Sequence, residues 1–242
     1  MSFVTIVQHA WQAYNRNARL FAFFSVPFLI AFPLALLLPN FTAGSAIFLR
    51  FGSISKDLTP VEAGFIVLVF LASMLLFSFA LATINLVVRN QRAFRGITNR
   101  EIERIETHTL TLFLLFLIAF VVTLAINLFL YDYGLHTTVG VLASFLIALS
   151  LVFAPQAVVI EDAGLRHAVI RSWRVITTRF PYFVAFLVLS GILFTGLTAL
   201  SLALEPSLPY AKYLALIVNS IVVIPFLEVL KTQIYLSKYT IL

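Results

Sequence analysis

Residues Leu110–Leu130 form an uninterrupted run without one charged side chain; its only polar members are Thr111, Thr123 and Asn127. A helix needs about 20 apolar residues to cross the roughly 30 Å hydrocarbon core of a bilayer, and few soluble folds leave such a run intact. The rest of the chain is built alike. Of its 242 residues 62% are hydrophobic and 11% charged, whereas a soluble domain has about 45–50% and 25%. So little charge cannot cover so much apolar surface in water. The sequence therefore implies an all-α integral membrane protein forming a single domain over 1–242. A β-barrel would need strands of alternating polarity, and these runs are apolar on every side.

Six windows are long enough to span: 20–38, 63–88, 109–130, 137–160, 181–204 and 211–230. Basic residues set the expected orientation. Thirteen of the 16 Lys and Arg lie before the first window (Arg16, Arg19), between the second and third (Arg89, Arg92, Arg95, Arg100, Arg104), between the fourth and fifth (Arg166, Arg171, Arg174, Arg179) or at and after the end of the sixth (Lys231, Lys238). Only Arg50, Lys56 and Lys212 fall on the other side. The positive-inside rule then places both termini in the cytoplasm of a multi-pass protein of a prokaryotic cell membrane. The net charge of +6 is thereby read as topology, and no nucleic-acid partner is required. The first 19 residues, with three aromatics and helical spacing, do not read as a signal peptide. Asn40-Phe41-Thr42 is a glycosylation sequon on the expected outer face.

A pattern recurs ahead of the odd-numbered windows. In residues 2–18 the apolar positions Phe3, Val7, Ala10, Trp11, Tyr14 and Ala18 share a helical face; in 163–180 Leu165, Val169, Trp173, Ile176 and Phe180 do the same. Basic residues occupy the other side. A basic amphipathic helix with a Trp is suited to lie among lipid headgroups. The two segments match directly, Ala10-Trp11-Gln12 with Ser172-Trp173-Arg174, and a weaker copy around Ile102, Ile105 and Leu112 precedes the third window. The expected plan is three units, 1–88, 89–160 and 161–242, each a cytoplasmic interfacial helix followed by a two-helix hairpin.

The stretch Phe153–Trp173 ends a span in Ala154-Pro155-Gln156-Ala157-Val158-Val159-Ile160, turns at Glu161-Asp162 and continues into an amphipathic helix with Ala168 and Ser172-Trp173. It resembles a signature of uncharacterised archaeal and bacterial six-span proteins related to the glycerophosphoryl diester phosphodiesterase membrane domain. The phosphodiesterase domain itself is absent. The resemblance implies a six-span membrane module and its location, and no catalytic residue.

Little in the sequence can carry chemistry. There is no Cys, which excludes disulfides, thiolate metal sites and cysteine nucleophiles. His9, His108, His136 and His167 are scattered, so no metal or cofactor is expected. No P-loop, GxGxxG or GxSxG occurs. Asp132 with His136, or Glu161 with His167, could supply an acid and a base to a lipid enzyme, but a polar turn and a helix cap explain them as well. Asn85, Asn127, Gln156, Asn219 and Glu228 are polar groups within or near spans, suited to interhelical hydrogen bonds. Glu161 could bridge to Arg89 or Arg92 of the preceding segment. Arg16, Arg19, Arg166, Arg171, Arg174 and Arg179, with Trp11 and Trp173, are the candidate lipid-headgroup ligands. The expected function is a non-enzymatic scaffold or subunit of a membrane assembly, in contact with anionic lipid and with other membrane proteins or further copies of itself. The competing reading is a small transporter or permease subunit with an amide-lined path, favoured where proline-interrupted helices occupy corresponding places.

Overall fold

A computed structural model describes residues 2–37, 60–92, 99–208 and 210–237. The sequon at Asn40, the basic residues Arg50, Lys56, Arg95 and Lys238, and the side chains of Arg92, Arg100, Ile102 and Lys212 lie outside the described part. Among the described residues the structure is all helix, with no strand. Helix α1 (Phe3–Arg16) starts on Ser2, whose Oγ accepts from the Thr5 N–H at 3.2 Å, satisfying one of the donors that every helix start leaves open. It is followed by α2 (Ala18–Leu37), α3 (Pro60–Arg92) and α4 (Asn99–Tyr131). A turn at Asp132–Gly134 leads into a π-helical turn (His136–Gly140), α5 (Val141–Leu151) and α6 (Ala154–Glu161). Next come α7 (Leu165–Thr178), α8 (Phe180–Leu204), α9 (Ala211–Val218), a second π-helical turn (Asn219–Val223) and α10 (Ile224–Leu236).

Five helical stretches are long and apolar enough to cross a membrane: Gly64–Asn90, Glu103–Tyr131, His136–Glu161, Phe180–Leu204 and Tyr213–Leu236. The first expected span coincides with α2, but its apolar part with described side chains, Ala18–Ala31, is shorter than a span. Among the residues with described side chains, five stretches therefore meet the length. Only 11–33% of the most apolar window of each span is buried inside the protein. Phe65, Ile118, Phe129, Phe145, Val188 and Ile192 all face outward. A bundle apolar on its outside as well as its inside is built for lipid.

The core gathers at one end of the bundle. Phe21, Phe28, Leu81, Ile84, Val88, Phe153, Leu230 and Ile234 are fully buried there. That is also the end at which α1 and α7 dock, α1 on α10 and α7 on α5 and α6. The two docking helices join their successors in the same way. A single residue, Asn17 (φ −130°, ψ 31°) after α1 and Arg179 (φ −120°, ψ 32°) after α7, redirects the chain. The matched positions share environments too: Ala10 and Ser172 are fully buried, while Trp11 and Trp173 are about half exposed. The inward face is Ile6, Ala10 and Tyr14 on α1 and Ala168, Ser172, Val175 and Ile176 on α7, and the tryptophans border it.

Candidate functional site

Each proline-interrupted helix leaves backbone groups that something else must satisfy. Between α5 and α6 the helix opens at Val152–Phe153, ahead of Pro155. The Phe153 N–H donates to Ser172 Oγ at 3.0 Å, and the Val152 carbonyl accepts from Lys231 Nζ at 3.3 Å. In the last span the π-helical turn precedes Pro225, and the Tyr14 hydroxyl donates to the Ile221 carbonyl at 3.1 Å. The two docking helices therefore each close a break, α7 through Ser172 and α1 through Tyr14. Burial holds the Tyr14 phenol above its ordinary pKa range.

Just inside these breaks three of the expected intramembrane polar residues meet. Gln156 Nε2 donates to Asn85 Oδ1 (3.1 Å) and to Glu228 Oε2 (3.2 Å). Thr232 Oγ1 reaches Asn85 Oδ1 at 2.6 Å and the Glu228 carbonyl at 2.8 Å. Asn85 Nδ2 closes back on the Leu81 carbonyl at 2.8 Å. Lys231 Nζ lies 2.5 Å from Glu228 Oε1, so the carboxylate is paired inside the protein. Asn85, Gln156, Glu228 and Thr232 are buried and Lys231 is partly so, which makes each bond strong and each vacancy costly. One acceptor, Gln156 Oε1, has no partner. Both of its neighbours accept through oxygen, so the amide nitrogen must face them and the oxygen must face the other way. Asn85, Gln156 and Glu228 come one from each expected unit and stand 71 and 72 residues apart. That even spacing was the signal in the sequence; Thr232 and Lys231 follow from it at four and three residues after Glu228.

The remaining two polar spans behave differently. Asn127 Nδ2 donates to Ser144 Oγ (3.0 Å) and the Thr123 carbonyl (2.9 Å) near the opposite end of the bundle. Asn219 sits in the second π-helical turn with its Oδ1 buried and unpartnered. The five amides and acids thus do not line one path: three bond directly to one another and two stand apart.

About one turn nearer the docking helices lies a second polar layer. Asp162 adopts a left-handed conformation (φ 49°) that ends α6, a geometry Asp tolerates better than most residues. Its carboxylate stands 3.6 Å from Arg89 Nη1, 3.4 Å from Arg104 Nη1 and 3.4 Å from His108 Nε2. Arg89 also donates to the Val159 carbonyl at 2.5 Å, one of the carbonyls left open at the end of α6. The acid that stands beside Arg89 is Asp162, next to the expected Glu161; the side chain of Arg92, the other expected partner of Glu161, lies outside the described residues. Glu161 pairs with Arg171 and accepts from the Tyr235 hydroxyl at 2.6 Å. Asp162, Tyr235, Tyr14 and Ser172 were not foreseen as contacts; only Asp162, in a turn followed by Ala163-Gly164, carried any local sign.

The arginines of α7 divide. Arg171 is taken up by Glu161, and Arg179 donates to the Ser237 carbonyl at 3.2 Å and lies 6.0 Å from the Tyr182 ring centre. Both make contacts within the protein. Arg166 and Arg174 are exposed and pair with no described residue, as are Arg16 and Arg19 beside α1. Trp11 stacks on Tyr14 and meets Phe226 edge-on. Asp132 is exposed and forms no ion pair with His136, whose ring lies against Tyr131 at 5.0 Å. His167 is exposed. Among the described residues, no three His, Cys, Asp or Glu side chains cluster as a metal site would need. Compared with protein-family models, with curated proteins and with solved structures, the chain matches none.

Proposed function

We propose that the chain is a non-enzymatic six-span membrane module, with α2 as its first span, both termini cytoplasmic and the basic end of the bundle toward the cytoplasm of a prokaryotic cell. Its three units are interlocked hairpins. It serves as a scaffold or subunit whose interfacial helices engage anionic lipid, and it presents its apolar flank to lipid and to other membrane proteins. One observation carries this reading: two helices with the same joint geometry each carry a half-exposed Trp and exposed arginines that have no described protein partner, Arg16 on α1 with Arg19 just past its joint, and Arg166 and Arg174 on α7. Each cation near an anionic leaflet contributes about 1 kcal/mol, so four act as a firm but reversible hold.

The transporter reading draws on the two proline-associated breaks. Against it, those breaks are closed by Tyr14, Ser172 and Lys231, and the central amides bond to one another. Native mass spectrometry of the purified chain tests the first reading. Phosphatidylglycerol stays bound to the wild type and is retained several-fold less by a variant with Arg16, Arg19, Arg166 and Arg174 all changed to Gln. Equal retention by both would overturn it.

A further inference from the structure

Between α2, α3 and α4 lies an open groove of about 1030 Å³. Its walls are Phe24 of α2, Leu75, Leu76 and Phe79 of α3, and Ile105 and Leu110 of α4. Two polar residues, Glu106 and Thr109, border it, both on α4 and only three residues apart. The groove is therefore apolar for most of its length and polar at one end.

Both polar residues lack what their neighbours have. Thr83, Thr111 and Thr198 each return their hydroxyl to a carbonyl four residues back, the usual way a helix satisfies threonine in an apolar setting. Thr109 is 6% exposed, yet its hydroxyl has no partner, a vacancy that costs free energy unless something else fills it. Glu106 is exposed and meets no basic side chain among the described residues, although Arg89 and Arg104 nearby are engaged by Asp162. Leu110 begins the charge-free run, so Glu106 and Thr109 stand at headgroup level while the phenylalanine and leucine walls stand at acyl-chain level.

We propose that this groove is a binding site for a phospholipid with a primary-ammonium headgroup, phosphatidylethanolamine. One acyl chain lies against Phe24, Phe79 and Leu110. An ester or phosphate oxygen accepts from the Thr109 hydroxyl, and the ammonium donates to the Glu106 carboxylate. Charge selects the occupant: a carboxylate at the mouth repels an anionic lipid, and a quaternary choline offers no N–H to it. The site is separate from the arginine faces of α1 and α7 and has the opposite charge preference.

Native mass spectrometry of the full chain, incubated with phosphatidylethanolamine, phosphatidylcholine or phosphatidylglycerol of identical acyl chains, tests this. The wild type retains phosphatidylethanolamine better than phosphatidylcholine, and a chain with Arg16, Arg19, Arg166 and Arg174 all changed to Gln retains it better than phosphatidylglycerol too. Glu106→Gln lowers that retention about tenfold, the size expected for a charge-assisted hydrogen bond, and abolishes the preference over phosphatidylcholine. Thr109→Val lowers it several-fold while leaving the melting temperature unchanged or higher. Leu110→Trp, at a position open to the groove, reduces retention of both zwitterionic lipids. Glutamine at Arg166 and Arg174 leaves phosphatidylethanolamine untouched, which separates this site from the anionic-lipid reading. Equal retention of phosphatidylethanolamine and phosphatidylcholine, indifference to Glu106→Gln, or a dimer that Leu110→Trp dissociates would each overturn it.

Discussion

The Tyr14 hydroxyl donates to the main-chain oxygen of Ile221, four residues ahead of Pro225. Proline has no N–H to offer that carbonyl, so a side chain from the first helix supplies the missing donor to the last. Tyr14→Phe removes only the hydroxyl and should lower stability in detergent by about 1 kcal/mol. In a Pro225→Ala background, where the backbone can supply its own N–H, the same change should cost measurably less. Equal costs in the two backgrounds, read from a double-mutant cycle, would dissolve the link.

The same phenol gives a pH signature. Its pKa is raised by burial, so the folded chain holds the proton after the unfolded chain has lost it. The stabilisation is complete below the unfolded pKa and is lost as pH rises above about 10. Melting temperatures measured between pH 8 and 11, on scales set by that phenol range, should therefore fall more steeply for the wild type than for Tyr14→Phe. Parallel curves would contradict the assignment.

Glu228 and Lys231 form a buried pair at 2.5 Å. Breaking such a pair from one side leaves an uncompensated charge and typically costs about 3–5 kcal/mol. Glu228→Leu and Lys231→Met should each lose an amount of that order, and the double variant should lose clearly less than their total. Additive losses in chemical denaturation would mean the charges are solvated rather than paired.

Asp162 gathers Arg89, Arg104 and His108, yet its side chain is 51% exposed. Screening at such a site limits each pair to about 1 kcal/mol or less. Asp162→Asn keeps a residue that tolerates the left-handed turn and should cost little. Asp162→Val adds a β-branched side chain at positive φ and should cost more. If Asn proves as damaging as Val in thermal melts, charge rather than backbone geometry dominates the turn.

Gly140 marks a close approach. A Cβ there would stand 2.3 Å from Asn127 Oδ1, on a side chain already tied to Ser144 and Thr123. Gly140→Ala should displace that amide and destabilise by about 1–3 kcal/mol, and Asn127→Ala should relieve most of the penalty. A neutral Gly140→Ala would show that the amide moves freely.

Much of the helical framework is local and was legible from residue order. The described residues of all six apolar windows are helical except for the opening at Val152–Phe153, and the ends at Tyr131, Glu161 and Leu204 lie within a residue of the expected boundaries. Helix formation in an apolar run depends on neighbours a few residues away, because backbone groups in lipid must bond within the segment. The matched tryptophan segments each run into a joint, at Asn17 and at Arg179, of the same geometry.

Partner choice among polar groups was not legible. Helical periodicity places Glu161 and Asp162 side by side, but a single positive φ sends one to Arg89 and leaves the other with Arg171 and Tyr235. The sequence by itself determined where the chain is apolar, hence which segments become helices and which end gathers positive charge. Only the tertiary structure decided that Asn85, Gln156 and Glu228 would bond to one another, and that Tyr14 and Ser172 would close the breaks near two prolines. The reason is physical: burial in a shared core, where no water can substitute, forces each polar group to find a partner wherever the packing brings one.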